Sequence, residues 1–163
     1  MYVENCFLGA EGVGETIERR LWEQGVTHWE SFHPDCRGIG STRADRIRSF
    51  INGGERALAA DDAAFFADRF PTGSRWRLYE SFADRACFFD IETTGLDRHR
   101  NIVTTVSLCQ NGSTRTLVRG DDLTDQRLRA AFADAELLVT FNGARFDIPF
   151  LEANFDVSLD QPH

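Results

Sequence analysis

Phe88-Phe89-Asp90-Ile91-Glu92-Thr93-Thr94-Gly95-Leu96 sets the character of the C-terminal half of the chain. The run from Ala86 to Thr93 is apolar and β-rich, which predicts a strand. Side chains two apart on a strand share a face, so Asp90 and Glu92 point one way while Phe89 and Ile91 point into a core. Neighbouring carboxylates at the end of an apolar strand repel each other and are costly to desolvate. A divalent cation relieves both problems, since hard cations favour carboxylate oxygen. The plainer alternative is an exposed strand end carrying two incidental acids.

A second stretch, Thr140-Phe141-Asn142-Gly143-Ala144-Arg145-Phe146-Asp147-Ile148-Pro149-Phe150, reads as a strand end, a turn at Asn142-Gly143 and a helix with Asp147 in its first turns. Phe146, Phe150 and Leu151 can anchor that helix on a sheet, letting Asp147 project back toward the strand ends. The alternative is a helix-terminal Asp that complements the macrodipole.

Between these stretches, Ile102 to Gln110 predicts a strand, Asn111-Gly112 a type I′ hairpin and Ser113 to Val118 the return strand. Leu123 to Ala135 has the apolar stripe of an amphipathic helix. Glu136 to Phe141 predicts a fourth strand, and Ala144 to Asn154 a helix.

The N-terminal part has a different texture. Gly12-Val13-Gly14 precedes a helical stretch from Thr16 to Gln24, and Gly38-Ile39-Gly40 precedes another from Ser41 to Ile51, with Ser41 or Thr42 as its N-cap. This is a short internal repeat. Residues 55–70 predict a further helix stopped by Pro71-Thr72-Gly73. The expected division is 1–54, a small all-helical module; 55–84, a helical connector packed on the C-terminal domain; and 85–163, that domain itself, a mixed β-sheet of α+β or α/β class.

At 163 residues with 42% hydrophobic content the chain can bury a core and is not of disordered composition. All 18 basic residues are Arg, against 26 acids, for a net charge of −8. That balance does not announce a nucleic-acid binder, although net charge does not decide what a local site holds. The four Cys lack zinc spacing and read as buried thiols. No signal peptide or membrane-length apolar run is present, so a cytoplasmic protein with no membrane partner is expected.

An Asp-x-Glu on a first strand followed by Asn-x-x-x-Phe-Asp resembles the first two motifs of the DEDD-type 3′–5′ exonucleases, within the ribonuclease H-like superfamily. The chain looks most like the YprB-like members, over residues 76 to 163, and β-β-β-α-β-α is the opening order of that fold. The resemblance implies Asp90, Glu92 and Asp147 as catalytic metal ligands. It also implies Mg²⁺ or Mn²⁺ in a two-metal site and phosphodiester hydrolysis at a single-stranded 3′ end of DNA or RNA. Thr93, Thr94 and Asn142 are candidates for substrate contact or, equally, for turn chemistry.

The family's third motif, with its fourth carboxylate, has no counterpart before Gln161-Pro162-His163. A truncated chain or gene is therefore expected, with an incomplete sheet, a bare edge and a mobile His163. The N-terminal repeat resembles a tandem helix-hairpin-helix, whose glycine turns present backbone N–H groups to a phosphate. Gly38, Gly40, Ser41, Thr42 and Arg43 are the better candidates for that contact, because Glu11, Glu15 and Glu18 surround the first turn. From a different class stands a catalytically silent nucleic-acid-binding or scaffold protein that keeps the fold. An Asp-x-Asp phosphatase is excluded by Glu at position 92. The sequence is silent on oligomeric state.

Overall fold

The computed structural model describes residues 1–163 and divides them into two units, Met1–Phe82 and Ala83–His163. In the first unit the repeat is real in the backbone. Gly12 and Gly38 take left-handed conformations (φ 79° and 77°), which side-chain-bearing residues rarely adopt. Val13 and Ile39 are buried behind them, and Gly14 and Gly40 are the N-caps of α1 (Glu15–Glu23) and α2 (Ser41–Ala59). Ser41 and Thr42 are therefore not the cap. The extended Gly40 already offers its carbonyl to the Ala44 N–H at 2.9 Å, and no side chain bonds this helix end.

Helix α2 is longer than expected, because its buried stripe of Ala44, Ile47, Phe50, Ile51, Gly54 and Ala57 continues past Ile51. Gly54 is required there: a Cβ would lie 2.4 Å from the Trp29 ring. The single helix predicted over 55–70 is instead two pieces. Asp61 turns the chain with φ 55°, and the Asp62 carboxylate accepts the Phe65 N–H at 2.9 Å to start α3 (Ala63–Ala67). A 3₁₀ segment, Thr72–Leu78, leads into α4 (Tyr79–Phe82). The expected break at residue 54 thus falls inside α2. Phe66 and Phe82, with ring centroids 5.9 Å apart, join Trp29 and Phe50 in the core of the first unit.

One charge pair is buried inside that unit. Glu18 is 1% exposed, and its Oε2 accepts from Arg77 Nη1 at 2.7 Å while Oε1 accepts the Phe7 N–H at 2.7 Å. Glu18 therefore does not repel a ligand from the first turn; its charge is spent inside. Burial, helped by the Glu18 carboxylate, pushes the Cys6 thiol up to about 12, so it is inert. All four Cys are unpaired, and Cys6, Cys36 and Cys87 are buried.

The second unit is built on strands β1 (Ala86–Thr93), β2 (Val103–Gln110), β3 (Ser113–Val118) and β4 (Leu137–Val139), in the order β3-β2-β1-β4. Neighbours are antiparallel except β1 and β4, which run parallel. Asn111 and Gly112 both have positive φ (51° and 70°), as a type I′ hairpin requires. Helix α5 (Asp125–Phe132) is capped by Thr124 and is shorter than predicted; α6 (Asp147–Asn154) starts later, at Asp147 itself. The cause of the late start is the turn before it. Asn142 adopts φ 63°, and its carbonyl accepts from the N–H groups of Arg145 and Phe146. One sheet face is closed by α5 and α6 through Phe89, Ile91, Leu128, Phe132, Phe150 and Leu151.

The expected loose C-terminus is corrected, and the expected bare edge is narrowed at β4 but remains along β1 beyond Phe88. Pro162 O accepts from Leu138 N at 2.8 Å along β4, the last strand in the sheet order. Leu159 is buried, and the His163 ring hydrogen-bonds the Thr140 hydroxyl. No helix is long and apolar enough to cross a membrane.

Removing one partner of a buried ion pair leaves an uncompensated charge at a cost of about 3–5 kcal/mol. Glu18→Gln should therefore lower the unfolding free energy of the first unit by an amount of that order, with a lower urea midpoint. Chemical denaturation followed by Trp fluorescence reads it directly.

Candidate active site

Strand β1 alternates as its sequence demands: Phe89 and Ile91 are buried, Asp90 and Glu92 exposed. Glu92 sits where the pairing slips. It faces Thr105, the next residue Thr93 faces Val103, and the Thr104 left over donates its hydroxyl to the Glu92 carbonyl at 3.0 Å. Such a bulge bends the strand and re-aims the side chains at its end.

The parallel partner of β1 is too short to cover this region. β4 pairs only with Ala86, Cys87 and Phe88, so beyond Phe88 that side of β1 has no neighbouring strand. Asp147 occupies the gap. It is the first residue of α6 and is 3% exposed, because Phe150 and Leu151 pin the helix in the core beneath it. Burial raises the Asp147 carboxyl from its ordinary value, and the Asp90 carboxylate nearby pushes it the same way. Its own backbone N–H and that of Ile91 act against the rise. Two acids from distant parts of the sequence therefore meet beside the open edge of β1. No ion pair of the chain involves Asp90, Glu92 or Asp147.

The gathering of all three stops short of a cage. No three His, Cys, Asp or Glu side chains stand close enough together to hold a metal ion as they are oriented here. Asp90 and Asp147 are brought together, and Glu92 lies one pleat further along the same face. The donor set nonetheless suits a hard divalent cation: carboxylate oxygens only, one of them buried and without a cationic partner.

The other candidates are mostly held by local bonds. The Thr93 hydroxyl donates to the Gly95 carbonyl at 2.7 Å. The Thr94 hydroxyl bonds Asn101 Oδ1 and accepts from the Ile102 N–H. Both hydroxyls are thus committed to the loop after β1, which is the turn-chemistry alternative. Asn142 is exposed, turns the chain, and makes no side-chain bond to Asp147. Its neighbour Gly143 is required, since a Cβ would fall 2.0 Å from the Thr140 hydroxyl oxygen. In the first unit Ser41 and Thr42 are exposed, whereas Arg43 is half-buried and donates Nε to the Gly12 carbonyl at 3.1 Å, tying the two glycine turns together.

Arg98, His99 and Arg145 were not singled out from the sequence. With Leu96, Asp97, Phe146 and Phe150 they line a cavity of about 240 Å³ between the loop after β1 and the start of α6. A signal was present, because each lies a few residues from one of the two acidic motifs. Asn101, which braces the loop, gave none.

Residues 87–163 match the family model of the RNase_H superfamily. No curated protein matches the chain at a significant level. The match supports a ribonuclease H-like second unit, with its helices and mixed four-stranded sheet, and suggests a nuclease-type function acting on nucleic acid.

The Asp147 shift yields a stability prediction. A carboxyl raised in the folded state destabilises the fold once ionised, so stability is lost as pH climbs from the unfolded value through the raised one. In metal-free buffer, Asp147→Asn should melt higher than wild type at neutral pH. The gap should close as pH falls toward the ordinary value of 3.8. Differential scanning fluorimetry across that range, with a chelator present, measures it; a variant that melts lower at neutral pH contradicts the assignment.

Proposed function

We propose that this chain carries the metal-binding part of a divalent-metal-dependent 3′–5′ exonuclease acting on single-stranded ends of DNA or RNA. The observation that carries this reading is the meeting of Asp90 and Asp147 at the strand-free edge of β1. In a purely structural role, two acids without a cationic partner at a partly buried edge only cost stability. With Mg²⁺ or Mn²⁺ bound, a two-metal site supplies water activation and stabilisation of the leaving oxygen. Asp90, Glu92 and Asp147 are the residues that would hold it, Asp147 as the fixed member and Glu92 as the one that must swing in.

The remaining residues orient the strand. Arg98 and Arg145 place positive charge in the cavity, whose one acid, Asp97, pairs with Arg100, and a substrate phosphate would lie there. Thr93 and Thr94 act by shaping the loop beside the acids. In the first unit, the N-terminus of α2 with Gly38, Gly40, Ser41, Thr42 and Arg43 offers unbonded N–H groups and charge to a backbone phosphate. The second reading, a silent nucleic-acid-binding protein, is favoured by one observation: the three carboxylates do not form a closed cluster.

The test is a 5′-labelled single strand, DNA and RNA in separate arms, incubated with Mg²⁺ or Mn²⁺. Stepwise shortening from the 3′ end is expected. Loss of a metal-binding carboxylate removes several kcal/mol of transition-state stabilisation, so Asp90→Ala should slow cleavage by about 10³-fold or more. Cleavage that survives Asp90→Ala, or wild type that never shortens the strand, contradicts the exonuclease reading.

A further inference from the structure

We infer that a groove along α2 in the first unit is a second nucleic-acid contact, one that grips the sugar–phosphate backbone through Arg46, Arg56 and Arg69. The identity of the strand rests on the exonuclease reading; the residues are ones that reading does not use. The groove has a volume of about 330 Å³ and lies between α2 and the segments around Gly9 and Phe65. Arg46, Ser49, Gly53 and Arg56 recur at helical spacing and line its length. Arg46 and Arg56 are separated along the axis by about 15 Å, close to the rise of about four nucleotides of a duplex strand.

The guanidiniums in the groove are placed with their charge available. The chain has 26 acids to 18 Arg, so three guanidiniums along one groove stand against the overall charge. Arg56 and Arg69 have no carboxylate partner. Arg56 Nε donates to the Asn52 carbonyl at 3.1 Å, and Arg69 Nη1 to the Phe65 carbonyl at 2.8 Å. The Arg69 guanidinium also lies 3.8 Å from the Phe65 ring centroid. Each uses one of its five donors and keeps the rest. The side chains are held in place before any ligand arrives, which lowers the entropy lost on binding. Arg46 pairs with Glu11 at 3.1 Å, but both are well exposed, so a phosphate can displace the carboxylate.

The rings below do not favour base readout. Phe50 and Phe65 stack on each other, and Arg69 covers Phe65, so no ring face is left for a base. The groove should therefore bind without regard to sequence. Its position also supplies what the first glycine turn lacks: an Arg46 nitrogen lies 3.5 Å from where a Gly12 Cβ would be. A strand can run from that turn along α2 on arginines that are remote in sequence from the turn itself.

The test uses the full chain carrying Asp90→Ala, so that binding is read whether or not the chain cleaves. Affinity for fluorescent oligonucleotides of several sequences is followed by anisotropy against salt. Each phosphate contact contributes about 0.7 to the slope of log K on log salt for single strands. Arg56→Gln with Arg69→Gln should lower that slope by about 1.4 for every sequence, and Arg56→Gln alone by about half as much. The single variant matters because loss of Arg69 also disturbs Phe65; melting curves confirm folding of each. Arg127→Gln, on α5, should leave the slope unchanged. Arg43→Gln tests the second glycine turn separately: a drop there with none in the groove variants overturns the groove and spares the turn. An unchanged slope in folded groove variants, no oligonucleotide binding at all, or equally tight binding of polyglutamate would each overturn the proposal.

Discussion

Asp147 is held beside Asp90 where β1 has lost its neighbour, and the organisation of the second unit depends on that placement. β4 is three residues long, so one side of β1 is open from Phe89 onward. The helix after β4 must start in that gap, and Phe150 and Leu151 leave its first residue no route to solvent. The result is a carboxyl raised by burial and by a like charge, with the Ile91 N–H in partial compensation. A fold keeps such a spot only when the packing beneath over-determines it. Here the packing is aliphatic and aromatic, and the tension is electrostatic, which is the condition a cation relieves.

Few positive charges are available in this chain, and the first unit distributes them with little redundancy. Arg77 neutralises Glu18 inside the unit, where neither could remain alone. Arg43 joins one glycine turn to the other, and Arg46 reaches back over the first. Arg56 and Arg69 are bonded to carbonyls and to a ring, so their charge remains outward. A net charge of −8 therefore hides a local pattern: three guanidiniums line one groove.

Period-two alternation made β1 legible, since Phe89 and Ile91 could only be core if Asp90 and Glu92 faced out. Asn111-Gly112 fixed the hairpin for a similar reason, because few other dipeptides accept positive φ twice. The glycine turns were visible as a repeat. What the sequence concealed was tertiary. Nothing local says that α2 runs through Gly53-Gly54, because the reason is the Trp29 ring packed against Gly54. Nothing local says that Glu18 is buried, because its partner Arg77 is far along the chain. The Thr93 and Thr94 hydroxyls suited substrate contact equally well until Gly95, Asn101 and Ile102 proved to be their partners. The tail was expected to be loose, and the backbone bond from Leu138 to Pro162 holds it.

The most direct measurement is anomalous diffraction from a crystal of this protein soaked in Mn²⁺. The account requires a peak bounded by the carboxylates of Asp90 and Asp147, with Glu92 turned toward it. A fully ordered site with no peak there, and the Asp147 carboxyl still bonded to the Ile91 N–H, would contradict it.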